Sequence, residues 1–322
     1  MTARFKVPPG GLERLDILIA KQTRITRSQA KRLIEEGRVL VEGRPPAKAG
    51  ERPEAGSEVE VRMPGPESKT SVLTPEPIDI DVRYMDDHLA VVDKPAGLVV
   101  YPAAGHAGGT VMNALMHRTG GRHAGAGAPL RPGVVHRLDK DTTGLMVIAL
   151  DDGAYYGLAA QFKARSIKRE YAAIIWGLPR DEEGVISARI GRSLTDRKKM
   201  STRTGRGKEA VTRWRVAERF FDPAASLVLA TLGTGRTHQI RVHFAAAGHP
   251  VLGDRTYGGK TRLKIGRQKM PVPRQMLHAR LLGFVHPFTG RRMEFESPLP
   301  PDMELVLDKL RESSDHRTSI KT

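Results

Sequence analysis

Short apolar runs typical of strands outnumber helical patterns over most of this chain of 322 residues. Runs of the strand type occupy residues 89–93, 98–100, 134–138, 145–150, 171–176, 210–216 and 226–232, and helical periodicity occurs at residues 110–117, 152–163, 237–247 and 301–310. These segments do not alternate as regular βαβ units, so a doubly wound parallel sheet is not expected. The pattern instead predicts an α+β fold built on a mixed sheet.

A proline-rich stretch separates a small amino-terminal module from this larger region. Residues 12–62 show two helical patterns followed by two strand patterns; Thr26 and Gln29 form a capping box for the second helix, and Gly37 ends it. Residues 63–77 contain four prolines and little periodicity, which favours a linker. We predict an amino-terminal domain over residues 1–62, a linker over 63–77, a main domain over 78–310 and a flexible polar tail over 311–322.

The charge of the chain indicates a polyanionic partner. Its formal net charge is +17 and its isoelectric point is about 10.3, a charge that costs self-repulsion in a compact protein. Residues 189–215 alone contain ten lysines and arginines against two acids. Nucleic acid is the leading candidate, while a basic surface without a specific partner and attraction to anionic lipid remain alternatives.

Cysteine is absent, and the sequence has neither a run of eighteen apolar residues nor the apolar core of a signal peptide. The lack of cysteine excludes disulfides, thiolate nucleophiles and the commonest zinc ligands. We therefore expect a cytoplasmic protein that does not contact membranes. Any metal site would need histidine and carboxylate ligands. His238 and His243 make a poor pair, because a spacing of five residues places them roughly 140° apart on a helix.

Residues 136–146, His-Arg-Leu-Asp-Lys-Asp-Thr-Thr-Gly-Leu-Met, place Asp139 in a basic polar turn between two apolar runs. If both runs are buried strands, the carboxylate faces a cleft at a strand end, where it could act in catalysis. The alternative is a structural aspartate that bonds the backbone of its own turn, helped by Thr142, Thr143 and Gly144. The local sequence favours neither interpretation.

Three other stretches bear on the role of Asp139. Residues 93–100 form a strand pattern interrupted by proline and glycine, which is typical of a loop bordering a cleft, although an ordinary bulge has the same pattern. Tyr171 opens a strand, a position where tyrosine most often packs in the core. Further on, a strand ends in a glycine turn, Thr237 can cap the helix that follows, and Arg241 lies near the first turn of that helix.

Taken in order, these motifs resemble those of the RluA-type pseudouridine synthases. The matching residues are Lys94-Pro95-Ala96-Gly97, His136-Arg137-Leu138-Asp139 with Thr143-Gly144-Leu145, Tyr171, and residues 235–243, Gly-Arg-Thr-His-Gln-Ile-Arg-Val-His. The amino-terminal module resembles the S4-type RNA-binding domain through residues 34–43, Ile-Glu-Glu-Gly-Arg-Val-Leu-Val-Glu-Gly. The resemblance is closest to the branch named large-subunit ribosomal RNA pseudouridine synthase D. The chain departs from that branch at Tyr101, where histidine is usual.

The resemblance implies a mostly antiparallel pseudouridine-synthase sheet and the isomerisation of uridine in RNA without a cofactor or a metal. In such enzymes the N-glycosidic bond breaks, the base rotates, and carbon-5 rejoins the sugar. Asp139 would be the essential carboxylate, acting as a nucleophile or as the base of an elimination route. Arg241, with Arg236 as the fallback, would be the cation that keeps it ionised in a water-poor pocket. Tyr171 would stack on the uracil, with a part in the final proton removal as the less favoured alternative, and Arg137 would fill the space left by the extruded base.

The resemblance and the charge together predict where RNA binds. The predicted contacts are Arg24, Arg27 and Lys31 around the second helix, and Arg197, Lys198 and Lys199 in a mobile basic hairpin within residues 189–215. A merely solvated helix face is the alternative for the first group. We expect a monomer that acts on ribosomal RNA or on a pre-ribosomal large subunit. Modification of other ribosomal sites or of transfer RNA, and a non-catalytic role in ribosome assembly, remain alternatives.

Overall fold

The computed structural model describes residues 2–10, 13–23, 25, 27–62, 73–103, 106–128, 130–196, 199–266 and 268–319. The chain divides into two compact units, Met1–Thr70 and Ser71–Thr322. The division falls within the predicted linker, of which residues 63–72 lie outside the described ranges. No helix in those ranges is long and apolar enough to cross a membrane.

The amino-terminal unit packs two helices against a three-stranded antiparallel sheet. Its elements are β1 (Thr2–Lys6), α1 (Leu15–Thr23), α2 (Arg27–Glu35), β2 (Val39–Val41) and β3 (Glu58–Arg62), in the sheet order β1-β3-β2. The two predicted helices are present as α1 and α2, and the two predicted strands as β2 and β3. Gly37 ends α2 in the left-handed conformation, with φ +69°. The predicted capping residue Thr26 lies outside the described residues. β1 was not predicted, because its only apolar residues are Ala3 and Phe5, which pack against the core of this unit but are only partly buried.

The larger unit is built on one sheet of ten strands. Its elements are β4 (Asp81–Met85), β5 (Leu89–Lys94), α3 (Val111–Arg118), β6 (Gly127–Ala128), β7 (Arg131–Pro132), β8 (Thr143–Ala149), α4 (Asp152–Ala164), β9 (Lys168–Trp176), β10 (Glu183–Arg192), β11 (Met200–Ser201), β12 (Lys208–Phe221), β13 (Ala224–Leu232), α5 (Gln239–Ala246), β14 (Arg262–Ile265), β15 (Gln268–Pro271), β16 (Leu277–Val285), β17 (Arg292–Glu296) and α6 (Pro301–Ser319). The strand order is β11-β10-β12-β13-β9-β16-β8-β5-β4, and β17 pairs with β16.

Every pairing in this sheet is antiparallel except the one between β16 and β8, which is parallel. The mixed, mostly antiparallel sheet is thus confirmed, as are all four predicted helices of this unit, α3 to α6. The segment predicted as a basic hairpin forms β10 and β12, which pair with each other, and β11 lies in their connection.

Two of the predicted strands are wrong. Residues 98–100 and 134–138 make only isolated bridges. At the second segment the chain turns at Gly133, whose φ is +70°; a Cβ there would lie 2.0 Å from the carbonyl oxygen of Ala149. The backbone therefore touches β8 at one point and then leaves it. Asp139 consequently follows an irregular segment, not a strand.

The ends of the larger unit also differ from the prediction. Leu73 is buried in the core around α3, and the carbonyl of Thr74 accepts a hydrogen bond from Asn113 on that helix at 2.7 Å. Residues 73–77 are therefore part of this unit and not of the linker that the prolines predict. The predicted flexible tail begins at residue 311, but α6 continues to Ser319. Arg311 extends the packed part of the helix by pairing with Glu218 of β12, with Nη2 and Oε2 2.7 Å apart.

The core of this unit fixes the backbone around Asp139. Leu138 is buried in the same apolar cluster as Tyr171 of β9 and Ile240 of α5. On the other side, all seven residues of β8 are buried. The turn that carries Asp139 is thus anchored at both ends, and it faces the start of β9 and the first turn of α5.

Candidate active site

A cavity of about 570 Å³ opens at this junction. Its lining includes all three predicted catalytic residues, Asp139, Tyr171 and Arg241, together with Arg137 and Arg236. The structure thus brings together five residues that are far apart in the sequence; Asp139 and Arg241 are 102 positions apart.

The carboxylate of Asp139 is directed at Arg241. Arg241 Nη1 donates to Asp139 Oδ2 at 2.9 Å, and the two side chains are 7% and 15% exposed, respectively. Within the turn, it is the backbone carbonyl of Asp139 that accepts a hydrogen bond, from the N–H of Thr142 at 3.1 Å. The turn is therefore closed by the backbone, and the carboxylate is left to face the cavity. This geometry favours the catalytic interpretation over the structural turn aspartate.

Arg241 is held by a second carboxylate that sequence reasoning missed. Asp254 is completely buried; its Oδ2 accepts from Arg241 Nε at 2.7 Å and its Oδ1 from Nη2 at 3.0 Å. Oδ1 also accepts from the backbone N–H groups of Thr256 and Tyr257, at 2.8 and 3.1 Å. Burial alone would lower the pKa of Arg241, but the hydrogen bonds and charges of Asp254 and Asp139 outweigh it and raise that pKa. Arg241 is therefore a permanent cation in a fixed orientation.

His238 is the second group beside Asp139 that the sequence did not indicate. Its Nε2 lies 3.7 Å from Asp139 Oδ1, and its Nδ1 lies 2.7 Å from the hydroxyl of Tyr257. Burial lowers the pKa of His238, and the nearby charge of Asp139 opposes that shift only in part. The imidazole is thus neutral at pH 7, and Arg241 is the cation that balances Asp139. Tyr257 also accepts a hydrogen bond from the N–H of Met200 at 3.0 Å, which connects the site to β11.

Thr237 does not cap α5 as predicted. The residue before the helix is His238, in the left-handed conformation with φ 57°, and it makes no side-chain capping bond. The side chain of Gln239 organises this turn instead. Its Oε1 accepts from the hydroxyl of Thr234 at 2.7 Å and from the N–H of Arg236 at 3.0 Å. The left-handed backbone is what brings the imidazole of His238 next to Asp139.

Tyr171 forms a buried wall of the cavity and is only 6% exposed. Burial raises the pKa of its phenol; the charge of Arg169 opposes the shift and that of Asp139 adds to it. A phenol whose pKa lies above its ordinary value stays protonated at neutral pH and so has no free base form to accept a proton. The arrangement suits a flat stacking surface better than a proton acceptor.

Lys94 supports the turn of Asp139 from outside the cavity. It is fully buried, and its Nζ donates to the carbonyls of Pro95, Leu98 and Lys140 at 2.7, 2.9 and 2.8 Å. Burial lowers the pKa of Lys94 to about 7, although the charges of Asp141 and Asp139 oppose the shift. The predicted cleft-bordering loop at residues 93–100 does not itself line the cavity. It acts through this lysine, which ties it to the residue after Asp139.

Arg137 and Arg236 lie at the rim of the cavity. The exposed Arg137 donates from Nη1 to the hydroxyl of Tyr101 at 3.1 Å, and its guanidinium lies 5.6 Å from the centre of that ring. Arg236 Nε donates to the carbonyl of Glu209 at 3.1 Å. The fallback assignment of Arg236 as the partner of Asp139 is therefore wrong, because Arg241 makes that contact.

The remaining predicted RNA contacts are surface residues or lie outside the described part of the chain. Arg24, Arg197 and Lys198 fall in the second group. The others are about half exposed and pair with acids: Arg27 with Asp16 of α1 at 2.9 Å, Lys31 with Glu35 at 3.5 Å, and Lys199 with Asp196 at 3.9 Å. No group of three or more histidine, aspartate or glutamate side chains in the described residues could hold a metal ion.

Comparison with known proteins decides the family. Residues 88–246 match the family model described as RNA pseudouridylate synthase, and residues 13–59 match the S4 domain. The chain is 43% identical to a Bacillus subtilis protein named uncharacterized RNA pseudouridine synthase YlyB, over 94% of this chain and 95% of that protein. The chain belongs to the RNA pseudouridine synthase family. The resemblance to its RluA-type members and to the S4 domain is thereby confirmed.

Other relatives and one solved structure agree with this assignment. Two proteins named ribosomal large subunit pseudouridine synthase D, from Zymomonas mobilis and Pseudomonas aeruginosa, are each 42% identical to this pseudouridine synthase; the matches cover 92% and 95% of this chain and 93% and 94% of theirs. The structure of human RNA pseudouridylate synthase domain containing 1 has 26% identity and a TM-score of 0.52, and the match covers 78% of this chain and 98% of that one. The protein is therefore an isomerase that converts uridine in RNA to pseudouridine.

Proposed function

We propose that this pseudouridine synthase modifies uridines of large-subunit ribosomal RNA and that Asp139 is its essential carboxylate. The observation that carries the assignment of Asp139 is its ion pair with Arg241, 2.9 Å long, in the wall of a cavity large enough for a nucleoside. The substrate assignment is supported by the names of two relatives that match this chain over more than nine-tenths of its length.

The carboxylate of Asp139 begins the reaction. Arg241 Nη1 donates to Asp139 Oδ2 at 2.9 Å and holds the carboxylate in the wall of the cavity. Asp139 then either attacks the sugar or removes a sugar proton, and in both routes the electron pair of the N-glycosidic bond leaves with the uracil. The freed base rotates and carbon-5 bonds to the sugar; this displaces the carboxylate of Asp139 in the first route, and in the second the sugar takes back its proton from Asp139. The proton on carbon-5 is then released, and N1 of the base takes up a proton. The bonds formed and broken balance without an external cofactor.

Tyr171 and Arg137 act on the base before any bond breaks. The target uridine must leave its stack to reach Asp139, which costs a few kcal/mol. The buried ring of Tyr171 offers a stacking surface for the uracil inside the cavity. Arg137 at the rim is positioned to occupy the space that the base leaves, and its contact with the ring of Tyr101 holds the guanidinium ready.

The basic surfaces bind the RNA backbone. The hairpin of β10 and β12 carries exposed arginines with few aromatic neighbours, which favours phosphate contact over base stacking. We assign the same role to the predicted contacts Arg24, Arg27, Lys31, Arg197, Lys198, Lys199 and Arg236. The amino-terminal S4 domain, residues 1–62, would add affinity to the catalytic domain that follows it. We propose that the enzyme acts as a cytoplasmic monomer on ribosomal RNA or a pre-ribosomal large subunit.

The decisive experiment maps pseudouridines in total RNA from cells with the gene, without it, and with Asp139→Asn in its place. The expected result is the loss of specific large-subunit sites in both the deletion and the variant, while the variant protein still binds RNA. Loss at small-subunit or transfer RNA sites would reject the substrate. Normal modification with Asp139→Asn would reject the carboxylate, and normal modification in the deletion would leave only a role in binding or assembly.

A further inference from the structure

Arg169 of β9 is a buried cation that has no carboxylate partner in the part of the chain that the structure describes. It is 8% exposed and lines the cavity. Its Nε is buried with no hydrogen-bond partner, and its one hydrogen bond in the described part of the chain is long, 3.5 Å from Nη2 to the carbonyl of Leu232. Arg241, the other buried arginine of this cavity, has two carboxylates by contrast. Arg169 is thus the buried cation of this cavity that pairs with no carboxylate among the described residues.

This arrangement is costly unless an anion completes it. Arginine does not lose its charge in proteins, and buried charges are normally paired or fully hydrogen-bonded. An unpaired buried ion costs several kcal/mol. A site that keeps such a cation beside its reaction centre is suited to a negatively charged group of the substrate.

His136, whose ring interacts with the charge of Arg169, does not compensate that charge. His136 Nε2 accepts a hydrogen bond from the N–H of Val147 at 3.0 Å, so the ring carries its proton on Nδ1 and is neutral. Burial and then the charge of Arg169 lower the pKa of His136 to about 3. The ring of Phe162 lies 5.2 Å from the guanidinium of Arg169 and offers it a partial electrostatic contact only.

The position of Arg169 relates it to the base. Arg169 and Tyr171 are two residues apart on β9, so they lie on the same face of the sheet, separated by about 7 Å along the strand. The Arg169 side chain therefore lies beside the proposed stacking surface of Tyr171. A separation of about 7 Å along the strand is comparable to that between a base and a phosphate of the same nucleotide. Gly235 keeps this approach open, because a Cβ there would lie 3.1 Å from Arg169 Nη1.

The electrostatic character of the cavity agrees with an anionic ligand. Asp139 is the only acid among the described residues that line it. The basic lining residues are Arg131, Arg137, Lys163, Arg165, Arg169, Arg236 and Arg241. The part of an RNA nucleotide that matches such a surface is its phosphate.

We infer that Arg169 binds a phosphate oxygen that flanks the extruded uridine, and so fixes the nucleotide while its base lies against Tyr171. The inference rests on the proposed function. Its interaction is a charge-assisted hydrogen bond inside the cavity, distinct from the backbone contacts of the exposed hairpin. It makes Arg169 a substrate-binding residue of the catalytic centre.

The test combines a charge change in the protein with one in the RNA. An oligonucleotide that carries the mapped target uridine is prepared with a neutral methylphosphonate in place of the 5′ or the 3′ flanking phosphate. We expect Arg169→Gln to lower kcat/KM about 10- to 100-fold. Neutralising one of the two phosphates should lower kcat/KM of the wild type by a similar factor. For Arg169→Gln, the same methylphosphonate should cause no further fall in kcat/KM. On the unmodified RNA, Arg169→Lys should recover part of the kcat/KM that Arg169→Gln loses.

Lys168→Gln is the matched control, because Lys168 precedes Arg169 on β9 but pairs with Glu294 at 3.0 Å and does not line the cavity. It should keep the wild-type rate and the wild-type sensitivity to both phosphates. If each methylphosphonate lowers kcat/KM of Arg169→Gln by the same factor as that of the wild type, Arg169 does not bind either phosphate. Arg169 then contacts a uracil carbonyl or is structural, and the inference is wrong. If Arg169→Gln does not fold, wild-type indifference to both phosphates overturns the inference in the same way. The oligonucleotide is taken from whichever RNA the mapping identifies, so a wrong substrate class and a wrong role for Arg169 remain distinguishable.

Discussion

Replacing Asp254 with asparagine tests whether the second carboxylate on Arg241 is required for catalysis. The substitution keeps the size of the side chain and an oxygen for the N–H groups of Thr256 and Tyr257. It removes the negative charge and presents an amide NH₂ to Arg241 Nε, which is itself a donor and lies 2.7 Å from Oδ2 in the native protein. Arg241 then has Asp139 as its sole ionic partner and loses its fixed orientation.

The structure sets the size of the expected effects. Asp254 is completely buried and the side chain of Arg241 is 7% exposed, so the pair is shielded from solvent. Removing one partner of a buried ion pair costs about 3 to 5 kcal/mol, and the retained hydrogen bonds favour the lower value. For a unit of this size that corresponds to a fall in Tm of roughly 10 °C. A displacement of Arg241, and with it Asp139, by about 1 Å would lower kcat on the order of 100-fold.

The assay is single-turnover formation of pseudouridine at saturating RNA, at a temperature where the variant remains folded, with RNA affinity measured separately. We expect kcat to fall and the affinity to stay unchanged. Leu307→Ala is the control for lost stability, because Leu307 is buried in α6 away from the cavity and its truncation costs about 2 to 5 kcal/mol. If Asp254→Asn loses stability but turns over like Leu307→Ala, the second carboxylate is structural and has no part in catalysis.

Three further predictions concern other parts of the larger unit. Lys94→Met should lower both Tm, measured by thermal unfolding, and kcat, measured by single turnover. The three carbonyls that accept from Lys94 Nζ would lose their donor, which costs about 1 to 3 kcal/mol for each carbonyl. Unchanged Tm and kcat would exclude a supporting role for Lys94. The free energy of unfolding should fall as the pH drops from 6.5 toward 3. In this range His136 binds a proton in the unfolded chain but not in the folded protein, where its pKa is about 3. In urea unfolding, His136→Gln should weaken this pH dependence. Replacing the exposed Arg213 and Arg215 of β12 with alanine should reduce the salt slope of RNA binding by about 1 to 2 and leave single turnover at saturation unchanged; an unchanged slope would remove the hairpin from the RNA interface.

The features of the fold that depend on local pattern could be predicted from the sequence. Helices α3 to α6 and the long strands β8, β9 and β13 have clear periodicity and are present. The errors arise where a glycine changes the path of the chain, as at Gly133, or where a strand contributes only two partly buried apolar residues to the core, as β1 does. Where α6 extends beyond the predicted helix, Arg311 pairs with Glu218 of β12. A contact between residues 93 positions apart leaves no local signal.

The candidate site shows the same division. Asp139, Tyr171 and Arg241 could be proposed from motifs that the chain shares with a family. Asp254 and Lys94 act through buried contacts with Arg241 and with the turn of Asp139, and these contacts exist only once the sheet is formed. Nothing in the sequence says which of many arginines will be buried without an acid. That property depends on the complete surroundings of each side chain.

The sharing of one guanidinium between two acids explains how Asp139 can be held and still react. A guanidinium that faces a single carboxylate normally binds both of its oxygens in parallel. Here Asp254 occupies Nε and Nη2, and only Nη1 is left for Asp139. Asp139 Oδ2 is therefore fixed, while Oδ1 has no hydrogen bond among the described residues and lies 3.7 Å from the neutral His238. Because Asp254 accepts from both Nε and Nη2 of Arg241, the guanidinium binds only one oxygen of Asp139. The other oxygen, Oδ1, is left free to react with a nucleotide in the cavity.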